Sequence, residues 1–351
     1  MDLFKLTVAE EKLHKNFSSV LRAEQRLDRE GLQLWSEGFP DRDGKFVKEF
    51  QTTFNSSFWE IYLYAMLKEI GAKLDFSHPA PDFSVELQGK KIVIEAAIAA
   101  AADGKPPEWE VDLEKEPPNR FRQMNIESII RLANAICSKY KKYKKSYSGL
   151  KHVNSLPFVL AIAPFEQPYF NLQYDGPISA LLYDQYVDED AALDNPAQFP
   201  FGKAPIVSLG TVEKANGAEI ELGFFNDERF SEISAVILST TATWGKVAAM
   251  TSNPDVTRYV NSVWFAGAGD EIIRQSSVTQ PHIETIRDGL MVFHNNFAKH
   301  PLSYDLFDID GVVQVVFDPL RKRVIRERRG KCLISRTVMS NITSDDPADF
   351  E

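Results

Sequence analysis

Nine residues, "PFVLAIAPF" from Pro157 to Phe165, limit what this chain can fold into more than any other stretch. An unbroken apolar run of strand length suits a strand covered on both faces, and such strands lie in the middle of parallel or mixed sheets with helices packed above and below. Helices should therefore flank it in sequence. One is predicted over about 123–145, where Ile126, Ile129, Ala133, Ile136 and Tyr140 form a buried stripe and lysines crowd the C-terminal end. A second is predicted over 46–70, with Phe50, Phe54, Phe58, Tyr62, Met66 and Ile70 at four-residue steps, Glu60 on the flank of that stripe and Gly71 placed to stop it.

Between these helices the period falls to two. "AKLDF", "PDFSVEL" and "KKIVIEAAIA", parted by "SHPA" and "QGK", predict three strands in a meander. The order over 46–163 is thus helix, three strands, helix, strand: an α/β core whose mixed sheet is flanked by helices. Residues 1–45 read as an N-terminal helical appendage, helical from Val8 to about Trp35 on Leu13, Phe17, Val20, Leu21 and Leu27. The Pro-rich, charged stretch from Asp103 to Asn119 predicts a mobile loop. Residues 164–351 predict a strand-rich α/β extension continuing the core, with strands at "APIVSLGTVE", "AEIELGFF", "ISAVILST", "GLMVFHNN" and "GVVQVVFD" and an undecided region around 250–280.

Composition narrows the function classes. At 351 residues, 44% of them hydrophobic and 26% charged, the chain has enough material for a large core without staples. Its formal net charge of -10 excludes a surface basic all over, so any nucleic-acid contact must come from local patches. Two such patches exist, "KYKKYKK" at 139–145 and "RKRVIRERRGK" at 321–331; the first is also what a solvated helix end looks like, the second a charged edge strand. Lys142, Lys145, Arg321 and Arg323 are the candidate phosphate contacts, joined by Arg131 and Asn134 on the helix. The two cysteines, Cys137 and Cys332, show neither a disulfide framework nor zinc-ligand spacing, which fits a reducing cytoplasm. No secretory leader pattern opens the chain and no apolar run reaches roughly 18 residues, so no membrane association is expected.

Asp82 and Glu95 carry the chemistry. If "PDFSVEL" and "KKIVIEA" pair as a hairpin, both carboxylates lie at the end far from its turn. Two adjoining carboxylates on a sheet are costly unless a cation holds them, and hard oxygen donors suit Mg²⁺ or Mn²⁺. Pro-Asp by itself is a common strand start. Glu95, inside "IVIEAAIAAAA", is harder to place without a partner or metal.

With its Pro-Asp on one strand, a carboxylate on the next and this element order, the segment resembles the PD-(D/E)XK nuclease superfamily, the restriction-endonuclease-like fold, over about a third of the chain. The resemblance implies that Asp82 and Glu95 bind metal, that Glu60 on the first core helix assists, and that a lysine positions or activates the attacking water. That lysine should stand at 97, where this chain has Ala97. Some members of the superfamily carry it instead on the second core helix, and "RLANAICSKYKKY" is similar to that version. Lys139 is then the replacement, with Arg131 and Asn134 as lesser candidates. The expected activity is metal-dependent phosphodiester hydrolysis, of DNA before RNA, in bacterial defence or genome maintenance; the alternative is an inactive protein of the same fold that holds nucleic acid or a protein partner. A homodimer is left open. Elsewhere His294 and His300 match no zinc spacing, and neither "GAGDE" nor "DIDG" completes a nucleotide or calcium motif.

Overall fold

Residues 1–111, 117–199, 204–254, 256–269, 271–278 and 282–342 are described by a computed structural model of the chain. In place of one helix from Val8 to about Trp35, the chain opens with two, α1 (Lys15–Val20) and α2 (Arg26–Trp35). Their buried residues Phe17, Val20 and Leu32 share a core with Phe50 and Phe54, so this segment is built into the main body. The helix expected over 46–70 is likewise divided into α3 (Phe46–Thr52) and α4 (Phe54–Glu69) at Thr53, whose φ of -131° and ψ of 47° leave the helical region. Aromatic stacking runs straight through the break: Phe50, Phe54 and Phe58 follow one another at ring separations of 5.1 and 5.7 Å. The four-residue pattern records that stack and is blind to the turn within it.

Next come β1 (Lys73–Asp75), β2 (Phe83–Leu87) and β3 (Lys90–Ala100), the expected antiparallel meander. Gln88 and Gly89 make the β2–β3 turn with φ of 51° and 75°, a geometry that favours glycine at its second position. The second core helix, α5 (Arg122–Lys142), runs into a π-helical turn at Tyr143–Tyr147. The apolar run forms β4 (Phe158–Phe165), buried along its whole length and parallel to β3. Of the loop expected to be mobile, Glu108 is held by Asn16 and Asn55, while 112–116 lie outside the described residues.

Beyond β4 the chain forms α6 (Gly176–Tyr183), β5 (Tyr186–Val187), α7 (Glu189–Asp194), β6 (Ile206–Val207), β7 (Thr211–Glu213), β8 (Glu219–Glu221), β9 (Ala235–Leu238) and α8 (Trp244–Met250). Then follow β10 (Val256–Phe265), β11 (Ile272–Val278), β12 (Leu290–His294), β13 (Val312–Asp318), β14 (Arg323–Arg328) and β15 (Cys332–Ile342). Eight strands make the main sheet, in the order β1-β2-β3-β4-β9-β12-β13-β14. It is mixed: β3, β4 and β9 run parallel, as do β12 and β13, and the other neighbours are antiparallel. The N-terminal helices and α4 cover one face; α5 and α6 cover the other. The chain is therefore α/β with a mixed sheet flanked by helices, and its C-terminal part widens that sheet. No helix among the described residues is long and apolar enough to cross a membrane.

The undecided region around 250–280 supplies two strands of a separate three-stranded sheet, β11-β10-β15. Buried charges bind it to the rest. Arg258 of β10 pairs with Asp28 of α2. Glu284 accepts hydrogen bonds from Lys246 of α8 at 2.5 Å and from Arg336 of β15 at 2.6 Å, all three almost fully buried. Burial opposes ionisation of Glu284, but Lys246 and Arg336 outweigh it and hold the carboxyl well below its usual range. A carboxyl depressed in the folded state adds stability above its unfolded pKa that is lost as pH falls toward the folded value. Glu284→Gln should therefore cost about 3–5 kcal/mol at neutral pH, and the deficit should shrink below about pH 4, where the unfolded chain takes up the proton. Urea unfolding of both proteins at pH 7 and pH 3.5 measures it.

Candidate functional site

The β2–β3 hairpin sets the site. Its ladder closes with Phe83 opposite Ile94, so one residue further Asp82 stands opposite Glu95 at the end remote from the turn. Strand alternation sends Glu95 to the same face as Val93, which packs with Ile129, Leu132 and Ile136 of α5. Asp82 is fixed by its Oδ2, which accepts the backbone N–H of Ala96 at 2.8 Å.

Glu95 is only 1% exposed, and three groups satisfy it. Lys139 Nζ lies 2.6 Å and Lys142 Nζ 2.9 Å from its Oε1, and the Tyr147 hydroxyl donates to Oε2 at 3.1 Å. The two lysines are three residues apart and so share a helix face. Lys139, three residues after the buried Ile136, leaves the edge of the stripe and reaches across to the strand, a span suited to a long aliphatic stem with a charged head. Ala97 is half-buried two residues beyond Glu95 on the same face, and its methyl offers no donor there. The ammonium groups that reach Glu95 therefore come from α5 and not from β3.

Asp82 is less well compensated. Burial first, and then the charge of Glu95, raise its pKa, against the pull of Lys139, the Ala96 N–H and Lys142. Glu60, on α4 across the sheet, is close enough to feel Asp82: burial and then that charge push its carboxyl up to about 8. At neutral pH Glu60 keeps its proton. Burial works against the charge on Lys142, but hydrogen bonding with Tyr147 and Glu95 outweighs it and holds the ammonium above its ordinary range. Burial also pushes the Tyr147 hydroxyl up to about 12, so it donates to Glu95 as a neutral phenol.

Lys142 was expected at phosphates and instead grips Glu95, and Tyr147 carried no sequence signal as a site residue. Lys142 follows from its place one turn after Lys139 on the same face of α5, and Tyr147 from the π-helical turn. By widening the last turn it swings Tyr147 back over Lys142, whose ammonium stands 5.1 Å from the ring centroid. Arg131 is committed to the backbone, donating to the carbonyls of Ala100 at 2.7 Å and Ala101 at 3.2 Å. Asn134 accepts from Lys214 at 2.7 Å, and Lys145 is exposed. Arg321 and Arg323 flank or begin β14, the opposite edge of the sheet. Five strand spacings of roughly 4.8 Å separate that edge from β3, about 24 Å in all. Arg321 is also paired with Asp318 at 3.3 Å. His294 is buried against Gln314 Oε1 at 2.9 Å, and the His300 carbonyl accepts from Ser234 at 2.5 Å.

A cleft of about 470 Å³ opens over β1, β2 and the start of β3, on the turn side of the carboxylates, with Lys73, Lys91, Lys151, His78 and His152 on its wall beside the acidic Asp75 and Glu86. The two imidazoles stack at 3.7 Å, and His152 Nε2 contacts the Ala80 carbonyl at 2.7 Å, fixing the chain just before Pro81. Among the described residues no group of three or more His, Cys, Asp or Glu side chains is arranged to hold a metal ion. The carboxylate pair still suits Mg²⁺, which commonly takes one or two carboxylates and completes its shell with water and substrate phosphate. No family model, curated protein or solved structure matches the chain.

Proposed function

We propose that the protein hydrolyses phosphodiester bonds in nucleic acid, DNA before RNA, as a metal-dependent nuclease with a restriction-endonuclease-like core in which the site lysine has moved to α5. One observation carries this: the Lys139 ammonium lies 2.6 Å from Glu95, beside Asp82, where the residue at 97 offers nothing. The succession α4, β1–β3, α5, β4 supports the fold.

Asp82 and Glu95 would hold Mg²⁺ or Mn²⁺, with Glu60 binding the ion or its water, and the ion would polarise the scissile phosphate and acidify a water. Lys139 places a positive charge against the carboxylates, where it orients a water and stabilises charge developing on the phosphoryl oxygens. Lys142 and Tyr147 keep Glu95 in position. The cleft over β1 and β2 of the same meander holds Lys73, Lys91 and Lys151 against Asp75 and Glu86, a small positive excess in an otherwise acidic protein that suits phosphate contact. Hydrolysis then leaves a phosphomonoester and a free hydroxyl.

Saturation of Glu95 by two ammonium groups and a hydroxyl favours a second reading, an inactive member of the same fold that binds nucleic acid or a protein partner. Calorimetric titration with Mn²⁺ separates the two. Because Glu60 holds a proton up to about pH 8, a working site should bind metal more tightly as pH rises from 6.5 to 8.5 and release a proton as it does so. In Glu60→Gln that pH dependence should flatten. Absence of any Asp82-dependent heat would favour the inactive protein.

A further inference from the structure

A second pocket lies away from the carboxylates. It sits beyond the carboxyl ends of three parallel strands: Phe165 ends β4, Thr243 to Gly245 follow β9, and Glu108 and Trp109 lie in the chain that leaves β3. Crevices in that position are where open α/β sheets take their ligands. The volume is about 320 Å³, within the range of small-molecule sites.

Flat rings form its walls. Phe54 and Phe165 line the inner side, Trp244 is anchored by an indole hydrogen bond to Gln25 at 2.8 Å, and Trp109 closes the mouth, 36% exposed and edge-on to His14 at 4.8 Å. One polar cluster faces this aromatic slot. The Glu108 carboxylate accepts the side-chain amides of Asn16 at 2.9 Å and Asn55 at 2.5 Å, both on Oε1. Asn16 Nδ2 also donates to Asn55 Oδ1 at 2.8 Å, so the three side chains form one connected polar edge on the pocket wall. These three side chains come from α1, α4 and the loop after β3, so the array exists only in the folded chain.

We propose that this pocket binds a nucleobase, stacked between the aromatic walls and read at its hydrogen-bonding edge by Glu108 and the two asparagines. Stacking accepts any planar heteroaromatic ring. The fixed carboxylate and amides then demand an edge carrying both N–H donors and acceptors, which a base offers and a simple aromatic side chain does not. Its source is either a free nucleotide or an unpaired base of a nucleic-acid strand. The inference stands apart from hydrolysis, because none of these residues belongs to the Asp82–Glu95 site.

The test is quenching of tryptophan fluorescence in the full-length Asp82→Ala variant without added metal, titrated with AMP, GMP, CMP and UMP and with short single-stranded oligonucleotides. Saturable quenching by at least one mononucleotide assigns a free nucleotide; quenching by oligonucleotides alone assigns a base in a strand. Either must weaken at least tenfold on Glu108→Ala, read by Trp109 and Trp244 together. It must weaken likewise on Trp109→Ala, an exposed position whose replacement spares the core, read by calorimetry. No saturable binding of any of these ligands, or binding that both variants leave unchanged, overturns the proposal. Cleavage of DNA by the parent protein is measured separately, so a failed pocket and a failed nuclease are distinguishable.

Discussion

Lys139→Ala is expected to lower the rate of phosphodiester cleavage by on the order of a hundredfold or more while divalent-metal binding survives. The ammonium acts on the water and the developing phosphoryl charge, whereas the metal donors are Asp82 and Glu95. Lys142 also lies within 3 Å of Glu95 Oε1, at 2.9 Å, but its side chain is 48% exposed against 25% for Lys139. It holds the carboxylate from the solvent side. Lys142→Ala should therefore cost less, about tenfold, and the double variant should exceed the sum of the two single effects, since neither lysine remains to neutralise Glu95. Restoring a lysine through Ala97→Lys in the Lys139→Ala background should recover part of the loss, because that position lies on the same strand face two residues from Glu95. Single-turnover rates with metal affinities measured in parallel check all four proteins.

The second large effect separates the two carboxylates. Asp82→Asn and Glu95→Gln should each reduce cleavage by roughly a thousandfold, yet move stability in opposite directions. Asp82 has its folded pKa raised, so its stabilising share is complete below the unfolded value and is lost as pH rises through the folded one. At neutral pH the ionised group is a burden, and asparagine can still accept the Ala96 N–H through its carbonyl. Asp82→Asn should gain about 1 kcal/mol at pH 7.5 without metal. Glu95→Gln leaves the ammonium groups of Lys139 and Lys142 facing each other with no anion between them. Partial exposure of both lysines tempers the cost, which should be about 1–3 kcal/mol. Thermal melts of the three proteins in EDTA read the two signs directly.

Much of this site can be read from the sequence because its geometry is local. The β2–β3 hairpin needs only period-two alternation and a Gln-Gly turn, and those alone place Asp82 opposite Glu95. Lys139 is singled out by the resemblance together with its place at the margin of the buried stripe, three residues after Ile136. What resisted lies where distant segments meet. Tyr147 depends on a π-helical turn that leaves no periodic trace. The β10–β11–β15 sheet was obscured because Arg258 and Arg336 point inward, and their partners Asp28 and Glu284 lie 230 and 52 residues away. A buried arginine reads as a surface residue until its counter-ion is known. The breaks before Arg26 and at Thr53 were hidden for a related reason: core contacts continue across them, so the apolar spacing never faltered.

The central claim, that Asp82, Glu95 and the α5 lysine form one phosphodiester-cleaving site, is tested most directly by incubating the protein with single- and double-stranded DNA in Mg²⁺ and in Mn²⁺ beside Asp82→Asn. Cleavage by the parent that depends on metal, and its loss in the folded Asp82→Asn protein, is the predicted result. Cleavage at the parental rate by Asp82→Asn, or no metal-dependent cleavage of either substrate by the parent, would contradict it.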